Sequence, residues 1–535
     1  MIQRQAQSAE YWGENFSLEP SDLEHLNNLL LEAEMPLATD DMALAVLRYR
    51  VAAEEARIER KLLNGAAVYL PRDTYEVGQE LVFPALEYAH GHITAVREGH
   101  NPEQGAFQVI SVDLDDGGSR EFAANLPQHV LNEQGGVLVA EDEALPRSPE
   151  ELFEKFGALL KPRLEADLRA SSDIVSIAGQ WFPRALIAEI NEGHLNLAEA
   201  VLDVNGGGPL PTEELVRHID LAANIEHRLQ VFSLNYALQE DERFDEVGPS
   251  GQVLWYLRRL EPPEVLFPPP RLKYEAVPYE KAILTPELIA LARSIDDELD
   301  DLQSDEPAVV ADATSVQLIL TFPHVRVGSL PLTSQLAPLF PTAYEAPRVR
   351  FELVDGHTGE QLPGWVVLNE RYVFGLGPWY EKYKVVAGCF LTVSRGQTPG
   401  QVTITIDKRR SVSEWVRTAT VSGNRIDFAM RKQPIQVNYS EEMMVSIEDA
   451  SVVDEAWLSM TQNEMPLARL VVDSFRELAK LTPQGTVHAK ALYSGVNVWR
   501  RVPPGPVFAE LVRQPYYEHV GDAYWRFEPS RYNQD

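Results

Sequence analysis

The spacing of apolar residues changes five times along this chain, and each change marks a switch between helix and strand. From Ser21 to Gly65 the period is helical. Leu44, Leu47, Val51, Ile58 and Leu62 keep one face apolar, while Glu54, Glu55, Arg57 and Glu59 fill the other. Ser21, with Glu24 three positions on, predicts the start of this segment and Gly65 its end. At Tyr75 the period drops to two: Leu81 and Phe83 alternate, and Ile93 lies in a second short run. Residues 105–126 then predict a hairpin closed by Asp115-Asp116-Gly117-Gly118. Helical spacing returns over 150–235. Strand-like runs fill Val316 to Val437, with turns at Asp355-Gly356, Gly396 and Ser422-Gly423-Asn424. The remaining residues are helical before a strand-like aromatic tail.

Composition narrows what these segments can be. The chain has 535 residues, enough for several domains, and its 44% hydrophobic content excludes wholesale disorder. Lys and Arg number 47 against 81 Asp and Glu, a formal charge of −34, which argues against a positively coated nucleic-acid binder and suits protein partners. A single cysteine, Cys389, excludes an internal disulfide framework and a multi-cysteine zinc site, and it reads as a buried small hydrophobe. No run reaches the length of a membrane span and the start lacks a signal-type apolar core, so the expectation is a cytoplasmic protein with no membrane partner.

Two segments resemble each other. PLPTEELVRHIDL, HRLQVFSLNYALQ and RFDEVGPSGQVLWYLRRL run in the same order as TPQGTVHAKALYSGVNV, PVFAELVRQ and YYEHVGDAYWRFE. Phe244 and Tyr517 open equivalent aromatic–acidic–x–Val–Gly elements; Thr212 and Thr486 precede them at matching distances, and Trp255 and Trp525 follow. The order predicts helices, then a two-stranded hairpin carrying a Trp: a winged helix-turn-helix. Val247 and Val520 are expected to point inward, Gly248 and Gly521 to form turns, and the two tryptophans to plug the cores.

These residues carry a family likeness. FDEVGPSGQVLWYLRRL and its preceding helices resemble the HARE-HTH winged-helix family, which includes the amino-terminal domain of the bacterial RNA polymerase delta subunit. Trp255-Tyr256-Leu257 matches the aromatic ending of its hairpin. The resemblance implies a role in transcription or other DNA transactions. The strand-rich middle is similar to the DNA-binding pseudobarrel of plant transcription factors and some restriction enzymes, through Leu330-Pro331, Trp379-Tyr380 and Val385-Val386-Ala387-Gly388. Cys389 stands where that family usually places Asp.

Charge is uneven. Arg395, Lys408, Arg409, Arg410, Arg417, Arg425, Arg431 and Lys432 face only Asp407, Glu414 and Asp427, forming a basic island that is the candidate nucleic-acid site. The alternative is a salt-bridge surface toward the acidic stretch Asp296, Asp297, Glu298, Asp300, Asp301, Asp305 and Glu306, itself read as a solvated linker or a nucleic-acid mimic. Enzyme signatures are missing. Asn205-Gly206-Gly207-Gly208-Pro209 lacks the Lys of a phosphate loop and reads as a helix stop. The one Glu-x-Lys, Glu59-Arg60-Lys61, sits on a helix, and His90, His92 and His100 lack a completing carboxylate. No catalytic residue, metal or cofactor is expected.

The expected architecture is an α+β multidomain chain. Its parts are a helical segment over 1–70, a small SH3-like β-barrel over 71–140, a winged helix over 145–268, an acidic linker over 269–312, a β-rich pseudobarrel-like domain over 313–437 and a second winged helix over 438–535. The expected function is non-enzymatic and transcription- or DNA-associated, through protein partners such as RNA polymerase and through DNA at the basic face. The alternatives are a structural adaptor, or an accessory protein of a restriction or defence system.

Overall fold

A reciprocal cap opens the first helix of the computed structural model. It describes residues 5–63, 66–83, 86, 89–101, 105–115, 117–132, 148–222, 224–302, 314–343, 346–398, 400–423, 425–462 and 465–532. Contacts divide the chain into two compact units, Met1–Ala188 with Ile225–Phe232, and Glu189–Asn224 with Ser233–Asp535.

In the first unit, Glu19 and Asp22 cap α1 (Pro20–Ala33), so the start lies two residues before the expected Ser21. Strand β1 (Leu37–Ala38) leads into α2 (Thr39–Leu63), whose Met42, Ala43, Val46 and Leu47 are buried. The side chains of Ile58, Glu59, Arg60, Lys61 and Leu62, and Gly65 itself, lie outside the described residues. Strands β2 (Ala67–Val68), β3 (Glu80–Phe83), β4 (Ala89–Asn101), β5 (Gly105–Leu114) and β6 (Ser119–Ala124) form one sheet in sequential order. Its core holds Tyr69, Leu81, Phe83, Ile93, Ile110 and Val112. Helix α3 (Pro149–Ala170) follows, capped by Ser148 and Glu151, and buries Leu152, Phe156, Leu160, Leu164 and Leu168 against α2. Strands β7 (Ile174–Ile177) and β8 (Gln180–Pro183) then close back on β1. Residues 149–183 therefore complete the first unit, where the sequence pattern had joined them to the segment running to 268.

The second unit begins with α4 (Glu192–Val204), β9 (Leu210–Pro211), α5 (Thr212–Val216), the part of α6 (His227–Gln239) from Ser233 on, and the hairpin β10 (Phe244–Glu246)–β11 (Leu254–Leu257). The expected stop after α4 is present: Gly206, Gly207 and Gly208 take φ of 70, 99 and 113°, and a Cβ on Gly208 would lie 2.5 Å from the Trp255 carbonyl oxygen. Helices α7 (Pro263–Leu266) and α8 (Pro286–Ile295) come next. Leu284, Leu288, Ala292 and Ile295 are buried in the same core as the C-terminal helices. This part of the supposed linker is integral to the fold.

Seven strands follow: β12 (Ser315–Ile319), β13 (Ser329–Pro331), β14 (Arg348–Asp355), β15 (Gln361–Val367), β16 (Tyr372–Phe374), β17 (Phe390–Arg395) and β18 (Gln401–Ile406). They lie in the order β12-β17-β18-β14-β15-β16-β13, a sheet curled into a half-barrel in which only β14 and β18 run parallel. Helices α9 (Phe322–Val327) and α10 (Gly377–Tyr383) sit within it, and Leu330, Trp379 and Cys389 belong to its core. A long ribbon, β19 (Lys408–Ser422) with β20 (Arg425–Val437), leaves this sheet and is joined by β21 (Ser446–Ile447). The chain ends with α11 (Ala450–Gln462), α12 (Leu467–Ala479), β22 (Thr486–His488), α13 (Ala489–Trp499), α14 (Pro504–Arg513), β23 (Tyr517–Gly521) and β24 (Tyr524–Phe527).

One pattern occurs three times. A helix, a short strand, two helices and a hairpin give a three-stranded sheet in which the last hairpin strand lies in the middle: β1-β8-β7, β9-β11-β10 and β22-β24-β23. The sequence shows the second and third copies; the first is split by β2–β6, inserted between its second and third helices. Ladder register aligns all three, because Leu37 faces Trp181, Leu210 faces Trp255 and Val487 faces Trp525. Thr39, Thr212 and Ala489 thus occupy one position, and the expected pairing of Thr212 with Thr486 is three residues out of register. Val247 is buried as expected, but Val520 is 39% exposed, because β23 breaks register between His519 and Gly521 and turns it outward.

Candidate functional site

The basic island lies mostly on the ribbon, and packing divides its members. Alternation along β19 and β20 buries Ala419, Ile426 and Phe428 in the C-terminal core and Val416 and Ile435 in the core of the seven-stranded sheet. Toward the Lys408 end β19 is largely exposed, with a break in register between Lys408 and Val412, while Ile435 and Val437 of β20 opposite it stay in the core of the seven-stranded sheet.

Five of the eight bases are engaged. Arg417 donates to the carbonyls of Glu442 and Met444, 3.0 Å each, and burial pushes its guanidinium down to about 10. It is a structural residue and is not available to phosphate. Arg409 pairs with Glu414 at 2.6 Å and lies 4.9 Å from the Tyr439 ring centre, while the Tyr439 hydroxyl donates to the same carboxylate. Arg431 pairs with Glu448 at 3.1 Å. Lys408 stands 4.1 Å from the Tyr383 ring centre, and Arg395 donates to the Pro338 carbonyl at 3.4 Å. Arg410, Arg425 and Lys432 are exposed, with no partner among the described residues. Arg425 sits at the far tip; Lys432 lies directly across from Trp415.

Trp415 is the residue that charge counting missed. It is 63% exposed, and Met430 and Pro434, which share its face, are exposed beside it. Strand alternation alone left open which face of this ribbon meets a core.

The acidic stretch does not meet these bases. Asp297 and Glu298 are 4% and 7% exposed, inside a clasp closed by residues from distant segments. Arg501 reaches Asp297 at 2.5 Å and Glu298 at 2.8 Å; Tyr493 donates its hydroxyl to Asp297, and His324 contacts Glu298 at 3.0 Å. The Arg501 guanidinium and the His324 ring hold Glu298 well below the ordinary carboxylate range against the cost of its burial. Thr333 donates to Asp296 at 2.5 Å, and Lys281 pairs with Asp301 at 2.9 Å. Asp300 is pushed up to about 6 by burial. Asp297 and Glu298 are therefore interior residues rather than part of a solvated linker, Asp296 and Asp300 are half-buried, and Asp301 stays exposed; Asp305 and Glu306 lie outside the described residues.

A second cluster places Glu261, buried, 3.4 Å from Arg348, whose other contact is Asp245. Burial and the neighbouring Asp245 push Glu261 up to about 8. Elsewhere, His90 and His92 lie on β4 near one end and His100 near the other, and among the described residues no three potential metal ligands converge. Burial pushes the Cys389 thiol up to about 12.

The third helices of the three copies offer no basic reading face. In α14 every residue from Pro504 to Leu511 is buried. Helix α6 carries one arginine, Arg228, and the surface of α3 mixes signs, with Lys161 on Asp40 and Arg169 on Glu165. No family model, curated protein or solved structure matches the chain.

Proposed function

We propose that this chain is a non-enzymatic, transcription- or DNA-associated assembly protein. In this reading the three repeated units are winged helix-turn-helix domains, β2–β6 an SH3-like barrel and the seven-stranded sheet a pseudobarrel. The winged helices engage protein partners, RNA polymerase among them, and any nucleic-acid contact is confined to the ribbon. The enclosure of α14 carries this conclusion: a winged helix that reads DNA lays its third helix in the major groove, and a helix buried from Pro504 to Leu511 has no face to present there. The sparse positive charge of α6 and α3 supports the same division. The full chain, tagged in its own cell, is expected to co-purify with RNA polymerase subunits at physiological salt, and a reciprocal tag on the polymerase to recover the chain. Absence of polymerase in both directions, together with tight duplex binding that survives charge reversal on the ribbon, would overturn it.

A further inference from the structure

Tryptophan exposure singles out one place on this molecule. Of nine tryptophans, seven are at most 7% exposed: Trp12, Trp181, Trp255, Trp365, Trp379, Trp499 and Trp525. Trp457 is half-buried under the Arg271 guanidinium, 4.4 Å from its ring centre. Trp415 alone stands in solvent, with no packing role that explains an indole there.

Its setting selects a ligand. The ribbon holds the ring on a backbone anchored in two cores, so little conformational entropy is lost when something stacks on it. Lys432 faces it across the ladder, whereas Arg410, five residues along β19 and inside the break in register, is not placed on that face by strand alternation. Neither cation has a partner among the described residues. The nearby acids are already satisfied: Glu414 by Arg409 and Tyr439, Glu448 by Arg431, and Asp407 by Asn438. In a chain of charge −34, this leaves a flat aromatic platform beside an uncompensated positive charge, that of Lys432. A phosphate complements the Lys432 ammonium, and an unpaired base complements the ring, since stacking needs a free π-face that a duplex withholds.

We propose that the solvent face of the ribbon is a binding site for single-stranded nucleic acid, with Trp415 the stacking platform and Lys432 the phosphate contact. It rests on the reading above only for the confinement of nucleic acid to the ribbon. The site is independent of sequence in the bound strand, because every base has a face to stack and no base-reading amide flanks the ring.

Fluorescence anisotropy of the full chain with a labelled dT20 strand, and with a blunt duplex of the same length, tests it. The single strand is expected to bind more tightly than the duplex. Trp415→Ala should weaken it by about fivefold to a hundredfold, the range for loss of one base–aromatic stack, and Trp415→Phe should retain most of the affinity. Lys432→Ala should lower the salt slope of the single-strand complex by about 0.7. Exposure of Trp415 means that Trp415→Ala keeps the fold, and circular dichroism verifies this. Failure of dT20 to bind, or unchanged affinity in folded Trp415→Ala, would overturn the proposal. Equal competition by polyglutamate would also overturn it and make the face a protein-docking surface. None of these results touches the polymerase co-purification, so the two readings fail separately.

Discussion

The acidic stretch at Asp296–Asp301 and the basic ribbon at Lys408–Lys432 look alike as sequence, since each is a run of one sign with few opposing charges. Folding treats them oppositely. Asp297 and Glu298 meet Arg501, more than 200 residues away, and go inside; the ribbon keeps Arg410 and Lys432 in water. Charge density along a chain does not decide burial. What decides it is whether a distant element delivers a counter-charge with enough hydrogen bonds to offset desolvation. Here α13 and its following turn do so: Tyr493, Asn497 and Arg501 all project into the clasp.

Removing that counter-charge should give the largest effect in the molecule. Arg501→Met leaves Asp297 and Glu298 buried without their cation, at a cost of about 3–5 kcal/mol. Chemical denaturation should report the loss, and hydrogen exchange should place it in α13 and α9. The triple change Asp297→Asn, Glu298→Gln and Arg501→Met should recover most of it. A single Arg501→Met that unfolds no more easily than the parent would erase the distinction between the two regions.

Acidity sharpens the comparison further, because two buried carboxyls are shifted in opposite senses. Glu298 is held low, so its contribution is present above its ordinary value near 4.5 and disappears as the pH falls through the folded value. Glu261 is raised to about 8, facing Asp245, Arg348 and Arg258. Its contribution is complete below 4.5 and drains away as the pH climbs through 8, so stability should peak near pH 5 and decline on the alkaline side. Glu261→Gln should flatten the alkaline limb by roughly 2–5 kcal/mol. Melting temperature against pH for the two proteins is the measurement. Parallel alkaline limbs would show that Glu261 carries no extra proton in the fold.

A neutral buried pair gives a smaller step. The Trp181 indole donates to Thr39 at 2.9 Å, and Trp255 donates to Thr212 at 3.1 Å and to Asn235 at 2.8 Å, but Ala489 leaves the Trp525 indole nitrogen without a hydrogen-bond partner. Thr39→Ala should therefore cost about 1–2 kcal/mol, and Ala489→Thr should add up to about 1 kcal/mol to the third copy. Urea midpoints distinguish these outcomes; a loss on Ala489→Thr would mean that the fully buried site has no room for the larger side chain.

How much of this was legible follows from distance along the chain. The second and third hairpins could be read because Phe244 to Trp255 and Tyr517 to Trp525 are contiguous. The first copy could not, since an inserted five-stranded sheet separates Leu37 from Trp181. The three-residue slip between Thr212 and Thr486 arose because both copies carry a Thr near the strand, and only the ladder shows which residue lies beside the tryptophan. The eight bases were visible as a cluster, but the removal of Arg417 into the interior depends on carbonyls of Glu442 and Met444, and backbone acceptors have no sequence signature. Trp415 was hidden for the complementary reason: the same period of two describes a strand with either face inward.

The ribbon cations should give the smallest change, and that is what makes them informative. Arg410 and Lys432 are exposed and unpaired, so Arg410→Ala and Lys432→Ala should each move stability by less than about 0.5 kcal/mol. Arg417→Met, two residues along β19 from Trp415 on the same face, should behave as a core substitution instead, because it strands two carbonyls that its guanidinium now satisfies. Parallel melting curves for the parent and the two alanine variants, with a lowered midpoint for Arg417→Met, would separate surface from interior within one run of basic sequence. If Lys432→Ala proved as damaging as Arg417→Met, Lys432 would be holding the ribbon together rather than facing a ligand, and the exposed strip around Trp415 would lose the charge on which its recognition of phosphate depends.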